Sequence, residues 1–127
     1  MSCMGSKPQR VLLGYDGSNG AQRALEVAAA LIGYGSTLSV VTVANTAGSA
    51  EEALREARER LLERHVSATY VPLYGDAADE LVDAAQVLRA DLVIVGARTQ
   101  NGHLELGLGP VSGDVVERAP CDVLVVK

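Results

Sequence analysis

The sequence predicts an α/β fold in which helices cover both faces of a doubly wound, five-stranded parallel sheet. Short aliphatic runs alternate with helical patterns four times along the chain, and a fifth aliphatic run closes it. Such alternation is typical of parallel sheets, because parallel strands are joined by crossover helices. The runs are apolar at successive positions, as expected of strands buried on both faces. A length of 127 residues corresponds to one domain.

The first half of the chain contains two of these strand–helix units. Its predicted elements are a strand at 11–13, a helix at 21–32, a strand at 38–44 and a helix from 49 to about 64. Gly33 and Gly35 end the first helix, because glycine readily adopts the backbone conformation found just past a helix. Ser49 and Glu52 have the spacing of a capping box, so we expect the second helix to begin there. The predicted apolar stripe of that helix is Leu54, Ala57, Leu61 and Leu62.

The second half follows the same pattern and ends on a strand. Its predicted elements are a strand at 68–73, a helix at 77–88, a strand at 91–96, a polar loop at 97–108, a helix from 109 to 118 and a strand at 121–127. Pro72 lacks the N–H that a central strand donates, so the third strand belongs at an edge of the sheet. Pro110 suits a first helical turn, where its missing N–H would be unpaired in any case.

Composition and charge exclude several functions. Hydrophobic residues make up 48% of the chain, aromatic residues 3%, and the net charge is −5. A chain without Trp or Phe lacks the stacking platforms of single-strand nucleic-acid binders, and its negative charge opposes binding to a phosphate backbone. No apolar run is long enough to cross a membrane. We therefore expect neither a nucleic-acid nor a membrane partner.

Residues 1–9 are predicted to form a flexible tail, which leaves 10–127 as a single domain. The tail lacks the apolar segment of a signal peptide, and the chain has only two cysteines, so we expect a cytoplasmic protein. The cysteines and the two histidines are too far apart in sequence to predict a metal site. No residue stands out as a nucleophile or general base, so we predict no catalytic residues.

Two segments that follow strands carry a candidate binding site. The residues are Gly14, Tyr15 and Asp16 after the first strand, and Gly96, Arg98 and Gly102 after the fourth. In a doubly wound sheet, ligands bind outside the carboxyl ends of strands where the strand order reverses. Glycines let a backbone approach phosphate oxygens, Asp16 could accept hydrogen bonds from a ribose, and Arg98 could pair with a phosphate. The alternatives are that Asp16 only caps its turn and that the glycines only shape the loops.

Three stretches of the sequence carry a family resemblance: 11–18 (VLLGYDGS), 91–96 (DLVIVG) and 115–126 (VVERAPCDVLVV). With these stretches, the chain resembles the universal stress protein family over residues 10–127. The resemblance implies an adenine-nucleotide-binding α/β fold with strand order 3-2-1-4-5, which puts the third strand at an edge and the first and fourth together. It also implies ATP, with magnesium, as the ligand, and a homodimer formed through the closing strand, here Val123–Val126.

Members of this family that bind ATP carry the motif Gly-x2-Gly-x9-Gly-(Ser/Thr) after the fourth strand. Gly96 and Gly109 match its first and third glycines, but Thr99 and Pro110 replace the second glycine and the hydroxyl residue. Thr99 tolerates a positive φ poorly, and Pro110 offers neither a hydroxyl nor an N–H. The other matching positions are Asp16 for the ribose, Val43 beside the adenine, and Val111 and Ser112 at the start of the last helix.

Three functions remain open at this point. The first is a stress-response or signalling protein that binds ATP between the loops after strands one and four. The second is a dimeric interaction module of the same family that has lost ATP binding, as Thr99 and Pro110 suggest, and acts through an unknown protein partner. The third is an enzyme such as a slow ATPase, for which the sequence offers no convincing nucleophile or base.

Overall fold

The structure, a computed structural model, describes residues 9–33, 35–100, 103–106 and 112–127. Its strands are β1 (Arg10–Gly14), β2 (Thr37–Ala44), β3 (Thr69–Tyr74), β4 (Leu92–Gln100), β5 (His103–Leu106) and β6 (Asp122–Val126). Its helices are α1 (Asn19–Leu31), α2 (Ala47–Glu63), α3 (Ala77–Val87) and α4 (Ser112–Arg118). The predicted tail lies outside the described residues except for Gln9, whose N–H donates to Asp91 Oδ2 at 2.9 Å.

Five strands form a parallel sheet in the order β3-β2-β1-β4-β6, which confirms the predicted fold class and strand order. Leu13 of β1 lies beside Val40 of β2 on one side and Ile94 of β4 on the other. Since the strand order reverses between β1 and β4, the carboxyl edge of the sheet beside the ends of these two strands, here called the crevice, is where this fold is expected to take a ligand. Pro72 lies in the edge strand β3, as predicted.

Small and aliphatic side chains fill the layers between the sheet and its helices. Neighbouring residues of β1 alternate between the two layers, as the period of a strand requires. The layer under α1 and α2 includes Val11, Leu13, Leu25, Ala28, Val40, Ala57, Leu61 and Ile94. The layer under α3 and α4 includes Leu12, Val41, Leu81, Ala85, Val93, Val95 and Val115. Alanines on the helices let them approach the valine-rich strands closely, which accounts for a core built almost without aromatic residues.

Helix α2 differs from its prediction at its start and in its apolar stripe. Thr46 is the N-cap, and its Oγ1 accepts the N–H of Ser49 at 3.2 Å. The capping box predicted at Ser49 is therefore wrong, because capping at Thr46 adds another turn of helix ahead of it. Leu62, predicted to face the core, is 61% exposed. Leu61 already fills the core position, and the next residue points about 100° further round the helix.

The segment after the fourth strand is a β-hairpin rather than an irregular loop. β4 continues to Gln100 and pairs antiparallel with β5, with Ala97 opposite Leu106 and Gln100 opposite His103. The predicted loop at 97–108 is therefore wrong for 97–100 and 103–106. The sequence carried a signal for this that the loop prediction overlooked. Asn-Gly, the dipeptide between the two strands, is strongly favoured in two-residue hairpin turns.

Helices α2 and α3 both end on a non-glycine residue in the left-handed conformation. The residue is His65 after α2, with φ 58°, and Arg89 after α3, with φ 53°. After α2, the N–H groups of His65 and Val66 donate to the carbonyls of Leu62 and Leu61, which are the two hydrogen bonds of a Schellman motif. The end of α3 has the same pair of bonds. Glycine is the residue usually found at this position.

Replacing His65 or Arg89 by glycine is expected to raise the free energy of unfolding by about 0.5–1 kcal/mol. A left-handed conformation costs an L residue roughly 1–2 kcal/mol, and the greater freedom of glycine in the unfolded chain offsets part of that gain. Urea unfolding curves measure the difference. Alanine at the same positions keeps the conformational cost and is the matched control. Glycine variants less stable than their alanine counterparts would contradict this account of the helix ends.

Candidate functional site

The carboxyl ends of β1, β2 and β4 meet at one edge of the sheet and bring several predicted site residues together. Gly14 lies beside Val41, two residues before Val43 in β2. Because Leu13 and Ile94 are neighbours, Gly96 lies next to the turn that follows β1. The backbone at Arg98 continues β4 beyond this point, and Ser112 begins α4. The remaining predicted residues, Gly102, Gly109 and Val111, lie outside the described residues.

Asp16 lies in the exposed turn between β1 and α1. Its Oδ1 accepts the N–H of Ser18 at 2.9 Å, and Ser18 Oγ in turn accepts the N–H of Ala21 at 3.2 Å as the N-cap of α1. Gly17, with φ 82°, supplies the left-handed residue that the turn needs. One oxygen of Asp16 therefore orders the turn, as the alternative interpretation proposed. Within the described residues the other oxygen, Oδ2, has no hydrogen-bond partner and is available to a ligand hydroxyl.

Tyr15 is fully buried beneath this turn. Its N–H donates to the carbonyl of Val41 at 2.9 Å, its carbonyl accepts the hydroxyl of Thr42, and its phenol donates to the carboxylate of Glu56 on α2. Burial, and then the carboxylate of Glu56, raise the pKa of the phenol above its ordinary value. These partners give Tyr15 the role of an anchor for the turn. Its side chain packs in the layer under α1 and α2, so its position gives no support to the predicted ligand contact.

Replacing Tyr15 by phenylalanine is expected to lower the free energy of unfolding by about 1 kcal/mol at pH 7, since the bond to Glu56 is lost. A raised pKa in the folded state stabilises the protein below pH 10, and this contribution is lost as the pH rises through the folded-state value. The difference from wild type should therefore shrink above about pH 10. Thermal melts from pH 7 to 11 test this, with Tyr74→Phe at a half-exposed tyrosine as control. A difference that grows above pH 10 would contradict it.

Gly96 is required by the packing of α1 on β4. A Cβ on Gly96 would lie 2.2 Å from the carbonyl carbon and oxygen of Gly20, and a Cβ on Gly20 would lie 2.2 Å from the carbonyl oxygen of Ala97. Real Cβ atoms do not approach backbone so closely, so the two glycines let the helix and the strand touch directly. Sequence reasoning missed Gly20. The predicted helix begins at residue 21, which leaves Gly20 outside it, and no local pattern in the sequence indicates its contact with β4.

Clefts lined by described residues also occur away from this crevice. One of about 240 Å³ lies at the amino ends of the strands beside Arg10 and Thr37, and others of about 310 Å³ lie beside Arg58 and Tyr70 at the edge of the sheet. Among the described residues, no three His, Cys, Asp or Glu side chains are grouped as metal ligands. Within the same part of the chain, no helix is long and apolar enough to span a membrane. The crevice is therefore defined by topology and by Asp16, not by the size of a cavity.

Three comparisons with known proteins, by family model, by sequence and by structure, all identify the same family. The model of the universal stress protein family matches residues 44–127. A universal stress protein of Thermus aquaticus is 37% identical, with 92% of this chain and 97% of the relative aligned. The crystal structure of a universal stress protein in complex with cAMP is 31% identical, with a TM-score of 0.79 over 95% of this chain and 98% of that one. An Arabidopsis thaliana member with AMP bound is 20% identical, with a TM-score of 0.76 over 94% and 92% of the two chains, and supports the fold. This chain belongs to the universal stress protein family.

Proposed function

We propose that this chain is a stress-response protein that binds an adenine nucleotide in the crevice between the β1–α1 turn and the end of β4. The observation that carries the proposal is the exposed carboxylate of Asp16, which is held at the crevice by the anchored turn while its Oδ2 is left without a partner. The relative crystallised with cAMP has the same fold at 31% identity, which supports the same class of ligand here.

Each element of the crevice has a proposed role in binding. Asp16 accepts hydrogen bonds from the ribose hydroxyls, which a carboxylate does more strongly than a neutral group. Val43 is half-buried at the end of β2 and offers the adenine an apolar wall. Gly14 has no side chain and therefore leaves room for the adenine. Arg98 and Ser112 are the proposed phosphate contacts. The family resemblance favours ATP with magnesium, and the magnesium ion would enter with the nucleotide.

The proposed role is binding rather than catalysis, in a cytoplasmic protein that responds to nucleotide levels. Calorimetric titration and thermal melts with AMP, cyclic AMP and ATP, each with and without magnesium, test it. We expect one site per chain and an increase in melting temperature that grows with ligand concentration, because a ligand stabilises the state that binds it. Absence of both heat and a melting shift for all three nucleotides at millimolar concentration would overturn the proposal. It would leave the dimeric interaction module, which Thr99 and Pro110 suggest.

We also propose a homodimer formed through β6. This strand pairs with β4 on one side and lies at the edge of the parallel sheet, and Leu124 is 37% exposed. Its residues 123–126 are all aliphatic, without the lysine or proline that commonly protects a free edge. Sedimentation velocity at micromolar concentration should give about twice the monomer mass, and Leu124→Lys should shift the protein towards monomer. A wild-type monomer would contradict this assembly.

A further inference from the structure

We propose that the cleft of about 240 Å³ at the amino ends of the strands binds a small hydroxylated anion, either a carboxylate or a phosphate ester. This cleft lies at the opposite edge of the sheet from the crevice, so the site is separate from the proposed nucleotide site and does not depend on it. Three features of the described residues support the proposal: hydroxyl side chains on the sheet, an arginine without an acidic partner, and an apolar wall at the end of α3.

Hydroxyl side chains occupy the face of the sheet under α3 at its amino edge. Ser39 of β2 lies beside Leu12 of β1 and Thr69 of β3, and Thr37 lies beside Arg10. Side chains alternate between the two faces of a strand, so all of these share the face of Leu12, which packs in the layer under α3 and α4. Strands of a parallel sheet are usually apolar on both faces. This part of the sheet is therefore suited to a polar ligand rather than to a packed helix.

The hydroxyl groups are available to such a ligand. Ser39 is half-buried and Thr69 is exposed, and neither hydroxyl makes a hydrogen bond to another described residue. Thr37 Oγ1 donates to the carbonyl of Gln9 over a long distance of 3.4 Å. Since a hydroxyl can donate one hydrogen bond and accept two, this group of side chains can bind both the hydroxyls and the charged oxygens of a ligand.

Arg10 gives the cleft its positive charge. By the alternation of the strand, its side chain lies on the same face as the hydroxyl groups. Asp91 is also at this edge of the sheet, but its Oδ2 accepts the backbone N–H groups of Gln9 and Arg10, and no described carboxylate forms an ion pair with the guanidinium of Arg10. A guanidinium forms paired hydrogen bonds with a carboxylate or a phosphate. The ligand is therefore expected to carry one of these two groups.

The end of α3 forms the apolar wall of the cleft. Leu88 and Ala90 line it and are half-buried, so they can contact the carbon atoms of a ligand. The carboxyl end of a helix disfavours anions, but here its last carbonyls accept the N–H groups of Leu88, Arg89 and Ala90. Arg89 is exposed and adds a positive charge at this end of the helix. The volume of about 240 Å³ is below the range of about 300–1000 Å³ for drug-sized ligands, so the ligand should be small.

Calorimetric titration of the full chain with glycerol 3-phosphate, glycerate and glycerol tests the proposal. The first two carry a phosphate or a carboxylate on a short hydroxylated skeleton, and glycerol lacks the charge. We expect at least one of the two acids to saturate one site per chain with a Kd of about 1 mM or lower, and glycerol to bind at least about tenfold more weakly. The tighter acid identifies the acidic group. No saturable binding of either acid, or equal binding of glycerol, would overturn the proposal.

Two variants locate this binding in the cleft. Arg10→Gln removes the charge, and Ser39→Val removes a hydroxyl while keeping a residue that suits a strand. Each should weaken binding of the tighter acid by about tenfold or more.

Arg23→Gln is the matched control for the charge. It removes the same charge from an exposed position on α1, which packs on the other face of the sheet, and should leave the affinity within about twofold of wild type. Thermal melts show whether each variant is folded. Unchanged affinity in both cleft variants, or an equal loss in Arg23→Gln, would overturn the assignment of the site to this cleft.

Discussion

Replacing Gly96 by alanine is expected to lower the free energy of unfolding by about 3 kcal/mol or more, and to lower the melting temperature by about 10 °C. The added methyl group would lie 2.2 Å from the backbone of Gly20, and backbone cannot turn aside as a flexible side chain can. The helix α1 would have to move away from β4, which would disturb the core beneath it. Gly20→Ala meets the backbone of Ala97 at the same distance and should have an effect of similar size.

Gly48→Ala is the matched control for these variants. Gly48 lies in the first turn of α2, and a Cβ there would meet nothing within 4 Å. Alanine has the higher helix propensity, so this variant should be more stable than wild type by about 0.5 kcal/mol. Urea unfolding of the three variants gives the comparison directly. Gly96→Ala within 1 kcal/mol of wild type would contradict the close contact between α1 and β4.

Replacing Asp16 by alanine is expected to weaken binding of AMP by roughly 10- to 100-fold, the cost of losing a charge-assisted hydrogen bond of about 1.5–3 kcal/mol. Asp16→Asn keeps an oxygen for the N–H of Ser18 and so preserves the turn. It should lose less affinity than the alanine variant, because only the charge and one acceptor oxygen are removed. Calorimetric titration with AMP measures both.

Asp91→Ala is the matched control, because Asp91, like Asp16, accepts hydrogen bonds from backbone N–H groups. Oδ2 of Asp91 accepts the N–H groups of Gln9 and Arg10 at 2.9 Å, at the amino end of the sheet and away from the crevice. This variant should therefore be destabilised while its affinity for AMP is unchanged. Equal losses of affinity in the Asp16 and Asp91 variants would show that the effect at Asp16 is one of stability and not of contact with the ligand.

The sequence predicted the fold well because the decisive signals are local. Aliphatic runs marked the five parallel strands, and Pro72 marked an edge without reference to any other residue. Where two nearby residues can both begin a helix, the sequence does not decide between them, and this explains the error at the start of α2. Thr46 and Ser49 can both cap a helix, and only the packed structure shows that the helix begins at the first of them. The hairpin was missed because the segment is polar and contains glycines, as loops do, although the sequence there also contains Asn-Gly.

The candidate site was harder to predict because the residues that hold it in place are distant from one another in sequence. The bond from Tyr15 to Glu56 joins residues 41 positions apart, and no periodic pattern relates them. The contact between Gly20 and Gly96 is likewise a property of the packed fold. Sequence reasoning therefore identified Asp16 and Gly96 but could not tell which of them the fold itself requires. The structure gives Gly96 a packing role and leaves one oxygen of Asp16 for a ligand.

The most direct test of nucleotide binding at this crevice is a crystal structure of the chain grown with AMP. We predict difference density for the nucleotide, with the ribose hydroxyls within hydrogen-bond distance of Asp16 Oδ2 and the adenine against Val43. Density for AMP elsewhere on the protein, or an empty crevice at millimolar AMP, would contradict the proposal.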